Sequence, residues 1–379
     1  MGTIHMINRG ITSLINKHDD SKILGGIDQL ISMHNPTPFD YFNAEQIDLD
    51  VYDEIIFYSS GGKDSLCCLI ELINQGADLN KIHMVHHLVD GDGENFFDWP
   101  YVSEYNRALA YSFGIRLSYA YAETGLKGEM LKNNEVSAPI IVKRFTGEME
   151  VYPRPRAKKN TRLKFPQQSG NHNVRWCSSH AKIGPGNKFI TSNPEYIGKK
   201  ILTVTGERRS ESSSRAILSQ LSRHGTDTIR GSAKPTKPRL VDHWRPILNW
   251  SEDMVWDALQ NFRFNGNKGI EPGLAYQMSF SRSSCISCVF NSDRIWATLL
   301  EYNKDRVYLM SEYEREFGVT IARSGLTVLE RAKKAKPFII SDPKVVRDAL
   351  SYSYTRPIFT NDEKWELPPG AFSGEKAGS

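Results

Sequence analysis

Hydrophobic and polar positions repeat with two periods along the first two thirds of the chain. Ile55–Tyr58 is a short run of β-branched and aromatic residues closed by a glycine pair, which predicts a buried strand. Leu66–Asn74 is apolar nearly all round, and Gly76 stands where the glycine beyond a helix end belongs, so a buried helix follows. Lys81–Asp90 (Ile82, Met84, Val85, Leu88, Val89) and Ile115–Ala122 predict two more strands. Between them Asp98 would cap a helix running to about Phe113, with Pro100 in its first turn and Gly114 past its end. Lys200–Thr205 is the next strand and leads into a helix from about Ser212 to Ser222. Strand and helix in alternation predict an α/β fold with a doubly wound parallel sheet, its ligand at the carboxyl ends of the strands.

Elsewhere the pattern changes. Ser251–Phe262 reads as a helix with Ser251 as N-cap and Glu252 and Asp253 in its first turn. Beyond residue 290 the chain turns helical, over Ser292–Tyr302, Lys304–Phe317, Leu326–Ala335 and Pro343–Ser351. Residues 1–50 form a weakly periodic N-terminal extension in which Ile27–Met33 predicts a short helix, broken by Asn35-Pro36-Thr37-Pro38. The tail from Pro368 to Ser379 is rich in Gly, Pro and Ser and is expected to be disordered.

Composition narrows the class. A net charge of +4 on 379 residues is too mild to imply nucleic acid by itself. No run of about eighteen apolar residues occurs, and Met1–Lys22 lacks a continuous apolar stretch, so no membrane and a cytoplasmic location are expected. Five cysteines, at 67, 68, 177, 285 and 288, do not form a disulfide framework and suit a reduced compartment. The strand–helix rhythm fails over residues 123–175. Within that insertion, 143–164 carries eight basic residues (Lys143, Arg144, Arg154, Arg156, Lys158, Lys159, Arg162, Lys164) against Glu148 and Glu150. Pro153 and Pro155 make it poor helix or central-strand material. It reads equally as a loop holding nucleic acid, with Tyr152 and Phe165 available to stack, or as a solvated insertion.

Candidate chemistry starts at the turn between the first strand and helix, Ser60-Gly61-Gly62-Lys63-Asp64-Ser65. Two glycines allow close backbone approach, two serines offer hydroxyls, Lys63 brings positive charge, and the helix N-terminus favours an anion. It is not a Walker A loop, which needs a glycine where Phe57 stands. The turn resembles the pyrophosphate-binding loop of the PP-loop ATP pyrophosphatases, whose pattern is Ser-Gly-Gly-x-Asp-Ser. Further on, Gly206-x-Arg208-x-x-Glu211-Ser212-x-x-Arg215-Ala216 is similar to the second signature of the phosphoadenosine phosphosulfate (PAPS) reductase branch. Arg245-Pro246-Ile247-Leu248-Asn249-Trp250 with the helix after it is similar to a third segment of that branch. The resemblance implies a Rossmann-like PP-loop domain over residues 51–262, followed by a cysteine loop and helical region over 263–367. It also implies ATP or another adenine nucleotide as ligand. Ser60, Gly61, Gly62, Lys63, Asp64, Ser65, Asp90, Gly206, Arg208, Glu211 and Arg215 would bind it. Lys63, Asp64 and Arg208 would act in catalysis, and Mg²⁺ would lie near Asp64 or Asp90.

Cys67 and Cys68 sit inside the first helix and read as core residues. Cys177 and the C-x-x-C pair Cys285 and Cys288 read instead as metal or redox chemistry. Three occupants are open. A [4Fe–4S] cluster is held by cysteine thiolates; iron–sulfur members of the resembled branch, including adenylylsulfate reductases and the DNA phosphorothioation ATP pyrophosphatases, pair a cysteine dipeptide with a later C-x-x-C. Here the dipeptide is Cys177-Ser178, which leaves one iron open or calls for a substitute ligand. Zn²⁺ on Cys177, His180, Cys285 and Cys288 is the second occupant, and a bare dithiol is the third.

Classical reductases of this branch use a nucleophilic cysteine near the C-terminus, and no cysteine follows Cys288 here. The expected reaction is therefore adenylation of a substrate with release of pyrophosphate, for sulfur transfer to nucleic acid or a small metabolite. Two alternatives stand beside it: a phosphoadenylyl- or adenylyl-sulfate reductase using an external thiol, and a non-catalytic nucleotide-binding subunit of a modification or defence complex. The expected partners are a sulfur donor protein or reductant and, through the late helices, a second copy of the chain.

Overall fold

The computed structural model describes residues 40–169, 173–230, 235–283, 285–361 and 365–372. The helix expected at Ile27–Met33 and residues 373–379 lie outside the described residues. In chain order come β1 (Asp40–Tyr41), β2 (Glu54–Ser59), α1 (Lys63–Asn74), β3 (Ile82–His86), α2 (Val102–Phe113), β4 (Arg116–Ala122) and α3 (Gly125–Leu131). Then follow β5 (Ile140–Lys143), β6 (Met149–Tyr152), α4 (Gly184–Ser192), β7 (Lys200–Val204), α5 (Ser213–Ala216), β8 (Leu221–Arg223), β9 (Leu240–Trp244) and α6 (Glu252–Asn261). The chain continues through β10 (Arg263–Phe264), β11 (Asn267–Lys268), α7 (Leu274–Gln277), α8 (Asp293–Tyr302), α9 (Lys304–Phe317), α10 (Val328–Ala332) and α11 (Pro343–Ala349). The architecture is Rossmann-like α/β: a large mixed sheet, parallel through its centre and flanked by helices, with more helices in the C-terminal region.

The chain divides into two compact units. The first comprises residues 40–58, Cys68–His83 and Ile190–Asn249, with strands in the order β1-β8-β9-β7-β2. Its centre is parallel, with Ile55 opposite Leu202 and Ile201 opposite Val241. Ile55, Ile56, Phe57, Ile201, Leu202 and Val204 are wholly buried, which is why these strands read as continuous apolar runs. Around Asp242 the core is ionic: Arg230 reaches both Asp227 and Asp242 at 2.7 Å, and the Tyr52 hydroxyl donates to Asp242 at 2.8 Å.

The second unit comprises Ser59–Cys67, Met84–Phe189 and the described residues from Trp250 onward, with strands in the order β3-β4-β5-β6. Two local expectations are corrected, one there and one in the first unit. Residues 123–175 are not patternless: α3 is followed by β5, antiparallel to β4 with Ala122 opposite Ile140, and by the edge strand β6. The apolar Ile140–Val142 supplies the buried pairing, and Pro153 falls after the edge strand, where a missing N–H costs nothing. The Ser212–Ser222 helix shrinks to the four residues of α5, capped by Ser212 Oγ, because the chain must reach β8 and pair with β9. After Cys177 a helical stretch carries through Gly184-Pro185-Gly186. A π-turn (Ser179–Ile183) runs into α4, where Pro185 sits in a first turn that needs no N–H.

Other ends fall where side chains cap them. Ser251 and Ser292 accept the Met254 and Ile295 amides at 3.2 Å and 3.1 Å, starting α6 and α8. α2 ends on Gly114 in the left-handed region, φ 66°, but begins at Val102 rather than at Asp98. Among the late helices α8, α9 and α10 pack together, held by buried Glu314, which accepts the Ile321 and Val328 amides at 2.8 Å and 2.7 Å. Pro368 and Gly370, the start of the expected tail, are buried, and the Gly370 amide donates to the Tyr276 carbonyl at 2.8 Å.

Candidate nucleotide and thiol sites

The bend after β2 is built from its own small side chains. Ser59 Oγ donates to the Asn106 side chain at 2.6 Å and accepts the Gly61 amide at 3.3 Å. Ser60 Oγ accepts the Gly62 amide at 3.4 Å, and Ser65 Oγ donates to the Gly62 carbonyl at 2.8 Å. Gly61 has φ 72°, and a Cβ there would lie 3.1 Å from both Asn106 and Tyr105, so backbone angle and space both demand glycine. Ser60, Gly61, Gly62, Lys63, Asp64 and Ser65 thus form one turn at the N-terminus of α1, as the sequence pattern requires.

Two features of the turn were not legible in the sequence. The Lys63 amide donates to the Tyr276 hydroxyl at 3.0 Å, so a side chain from α7 occupies the first helical N–H. The Lys63 ammonium is buried, lying between the rings of Trp256 and Tyr276 (5.7 Å and 5.4 Å to the centroids). It reaches the Ser281 carbonyl at 3.2 Å and Glu252 at 3.3 Å. Glu252 was legible only as a helix-start acid, and nothing in the sequence flagged Tyr276.

Asp90 serves the loop it ends. Its carboxylate accepts the Phe97 amide at 2.8 Å and the Asp98 amide at 2.8 Å. Burial pushes its pKa up to about 6 despite those amides. The same loop reaches the cysteines: Ser287 N–H donates to the Phe97 carbonyl at 3.1 Å and Ser287 Oγ to Phe96 at 3.0 Å.

Cys177, Cys285 and Cys288 are close enough to feel one another's charge, and Lys182 and Asp98 belong to the same cluster. Burial raises the thiol pKa of Cys177 and, by more, of Cys285, where Asp98 adds to the effect. Burial works against the Lys182 charge, but Cys285, Asp98, Cys177 and Cys288 outweigh it and hold the ammonium protonated. Lys182 and Asp98 escaped the sequence reading as members of this cluster, although Lys182 lies five residues after Cys177. His180 faces other neighbours. Its Nδ1 lies 3.8 Å from Glu129, a buried carboxylate already bound by Lys132 and Arg162, each at 2.7 Å. Among the described residues no group of three or more His, Cys, Asp or Glu side chains is arranged to hold a metal ion.

The second signature lies in the first unit. Arg208 is buried, its amide donates to Glu211 at 2.9 Å, and Glu211 pairs with Arg215. A side-chain chain supports the segment: Thr205 Oγ1 donates to Glu207 at 2.6 Å and contacts His243 Nε2 at 2.7 Å, while Arg245 reaches His243 Nδ1 and Glu207, both at 2.9 Å. Because arginine can only donate, His243 Nδ1 is the acceptor and Nε2 carries the proton. Burial, reinforced by the Arg245 charge, keeps that ring neutral.

Residues 141–268 match the phosphoadenosine phosphosulfate reductase domain family, a span that contains Gly206–Arg215 and Arg245–Trp250 and begins after the Ser60–Ser65 bend. A search of curated proteins returned no match. Among solved structures, Candida glabrata FMN adenylyltransferase in complex with FMN and the ATP analogue AMPCPP aligns at 11% identity and TM-score 0.30, covering 60% of this chain and 54% of that one. The same enzyme with FAD and inorganic pyrophosphate aligns at 11% identity and TM-score 0.29, covering 60% and 53%. This chain therefore spans about half the length of those enzymes. No helix among the described residues is long and apolar enough to cross a membrane.

Proposed function

We propose that the chain is an ATP-using PP-loop enzyme that adenylates a substrate and releases pyrophosphate, in the service of sulfur transfer. The observation that carries this reading is the Ser60–Ser65 bend, with Gly61 at φ 72° and α1 beginning at Lys63, a geometry suited to a polyphosphate. The reductase-domain match over 141–268 supports the adenine-nucleotide part. An acceptor oxygen attacks the α-phosphorus of ATP, the bond to the bridging oxygen breaks, and pyrophosphate leaves with that electron pair. A sulfur nucleophile then displaces AMP from the adenylated acceptor. Ser60, Gly61, Gly62 and Ser65 hold the leaving pyrophosphate, while Lys63 offsets its charge. Asp64 would hold Mg²⁺, which would supply positive charge to the leaving group. Asp90, with both oxygens engaged by loop amides, shapes the site from outside it.

Cys177, Cys285 and Cys288 would be the ligands of any group bound by thiolates, on the strength of their spacing in the sequence. A [4Fe–4S] cluster with one iron left for sulfur is the occupant we favour, and Zn²⁺ is the alternative. Such a cluster would supply a site for carrying sulfide. Nucleic acid is the favoured acceptor class, since Arg156, Lys158, Lys159 and Lys164 of the basic segment are exposed.

Pyrophosphate release from labelled ATP tests the reading, with release expected from wild type and lost in Lys63→Ala; undiminished release in that variant refutes the Lys63 role. The reductase-domain match favours one second reading, reduction of a sulfonucleotide with an external thiol. Sulfite formed from adenylylsulfate and thioredoxin, without pyrophosphate from ATP, would select it.

A further inference from the structure

The segment after the β10–β11 ribbon lies directly on the bend. A Cβ on Gly273 would stand 3.2 Å from the Gly61 carbonyl and 2.8 Å from the Tyr101 hydroxyl, so the strap passes as close as backbone allows. From there α7 carries Tyr276 inward. Its ring is 1% exposed and meets Trp256 edge-on at 5.2 Å. Its hydroxyl oxygen accepts the backbone amide of Lys63, at the start of α1, at 3.0 Å, and the strap turns back between Tyr276 and Ser281. Ser279, left-handed at φ 67°, makes the turn between them.

A backbone N–H at a helix N-terminus, with an ammonium nearby, is what a phosphate oxygen seeks. Here a phenolic oxygen sits in that position. The strap also holds the ammonium, since Ser281 supplies the carbonyl that Lys63 Nζ reaches at 3.2 Å.

We propose that Tyr276 is a built-in plug of the anion nest: its hydroxyl stands in for a phosphate oxygen, and a polyphosphate ligand binds by displacing it and lifting the 271–283 strap. This rests on the reading of the bend as a polyphosphate site. Displacement exchanges one acceptor for another at the Lys63 amide, and a charged phosphate oxygen is the stronger acceptor of the two. Once Ser281 moves, the Lys63 ammonium can turn from Glu252 to the ligand. The plug would keep an empty site from presenting an unsatisfied buried amide, which is costly.

The test is titration of Mg²⁺-pyrophosphate and Mg²⁺-ATP into wild type and Tyr276→Phe. Phenylalanine keeps the ring against Trp256 and removes only the competing oxygen. The plug predicts binding about three- to tenfold tighter in the variant. Weaker or equal binding by Tyr276→Phe, with wild type still binding, overturns the plug and leaves the nucleotide reading standing. No binding by either protein overturns both. A second readout needs no substitution: hydrogen exchange over 271–283 in wild type should quicken when pyrophosphate saturates it, and slower or unchanged exchange counts against the plug.

Discussion

Arg245 Nε donates to the Glu207 carboxylate at 2.9 Å, which ties the start of the Arg245–Trp250 segment to the residue after Gly206. The guanidinium also donates to the Ser219 carbonyl at 2.9 Å and to His243, so one side chain fixes β9, the β8 approach and the Gly206–Glu211 turn together. Arg245→Gln keeps a donor but loses the charge and the fork. It should lower unfolding stability by about 2 kcal/mol, the partly exposed Glu207 moderating the loss. Denaturant melts check this, and a loss under about 0.5 kcal/mol would mean the pair is incidental.

The two glycines of the bend should separate by their geometry. Gly61→Ala meets a left-handed backbone and three side chains, whereas Gly62→Ala meets only Ser60 Oγ at 3.3 Å and Tyr276 and Ser283 at ordinary contact. Gly61→Ala should cost on the order of 1–2 kcal/mol of stability and Gly62→Ala less than half of that. Thermal or urea unfolding of both variants measures the gap, and equal costs would contradict the bend's conformation.

Asp90 predicts a pH signature. Its folded-state pKa, about 6, lies above the ordinary value of 3.8, so the folded protein binds the proton more tightly. Its contribution is therefore present in full below about pH 4 and is lost as pH rises through 6, worth up to about 3 kcal/mol. Asp90→Asn should flatten that part of the stability profile. A wild-type-minus-variant difference that is constant from pH 4 to 7 would contradict it.

Much of the fold was legible because its burial is local and periodic. β2, α1, β4, β7, α6 and α9 fall within a few residues of their expected bounds, since apolar runs mark them and Ser251 caps α6, while Gly114 marks the end of α2. β5 and β6 were hidden by the prolines that follow them, and β8 by a Ser-rich stretch whose pairing with β9 is decided at a distance. The bend could be read from its spacing, because its small residues are consecutive. The contact of Tyr276 with the Lys63 amide could not, because the two stand 213 residues apart and no short pattern records that.

The thiol cluster makes a distinct prediction. If the occupant is held by Cys177, Cys285 and Cys288, anaerobically purified protein should carry stoichiometric iron with visible absorbance, or zinc without it. Serine at any of the three should lower the metal content severalfold. His180→Ala should leave it unchanged, because His180 lies against Glu129. Metal loss in His180→Ala alone would contradict that assignment.

The most direct measurement is calorimetric titration of Mg²⁺-ATP into wild type and a Ser60→Ala/Ser65→Ala variant, whose two hydroxyls lie 3.5 Å apart across the bend. Saturable binding by wild type, weakened at least about tenfold in the variant, is the expected result. Equal affinity in both proteins, or no saturable binding by wild type, would contradict a polyphosphate site at Ser60–Ser65.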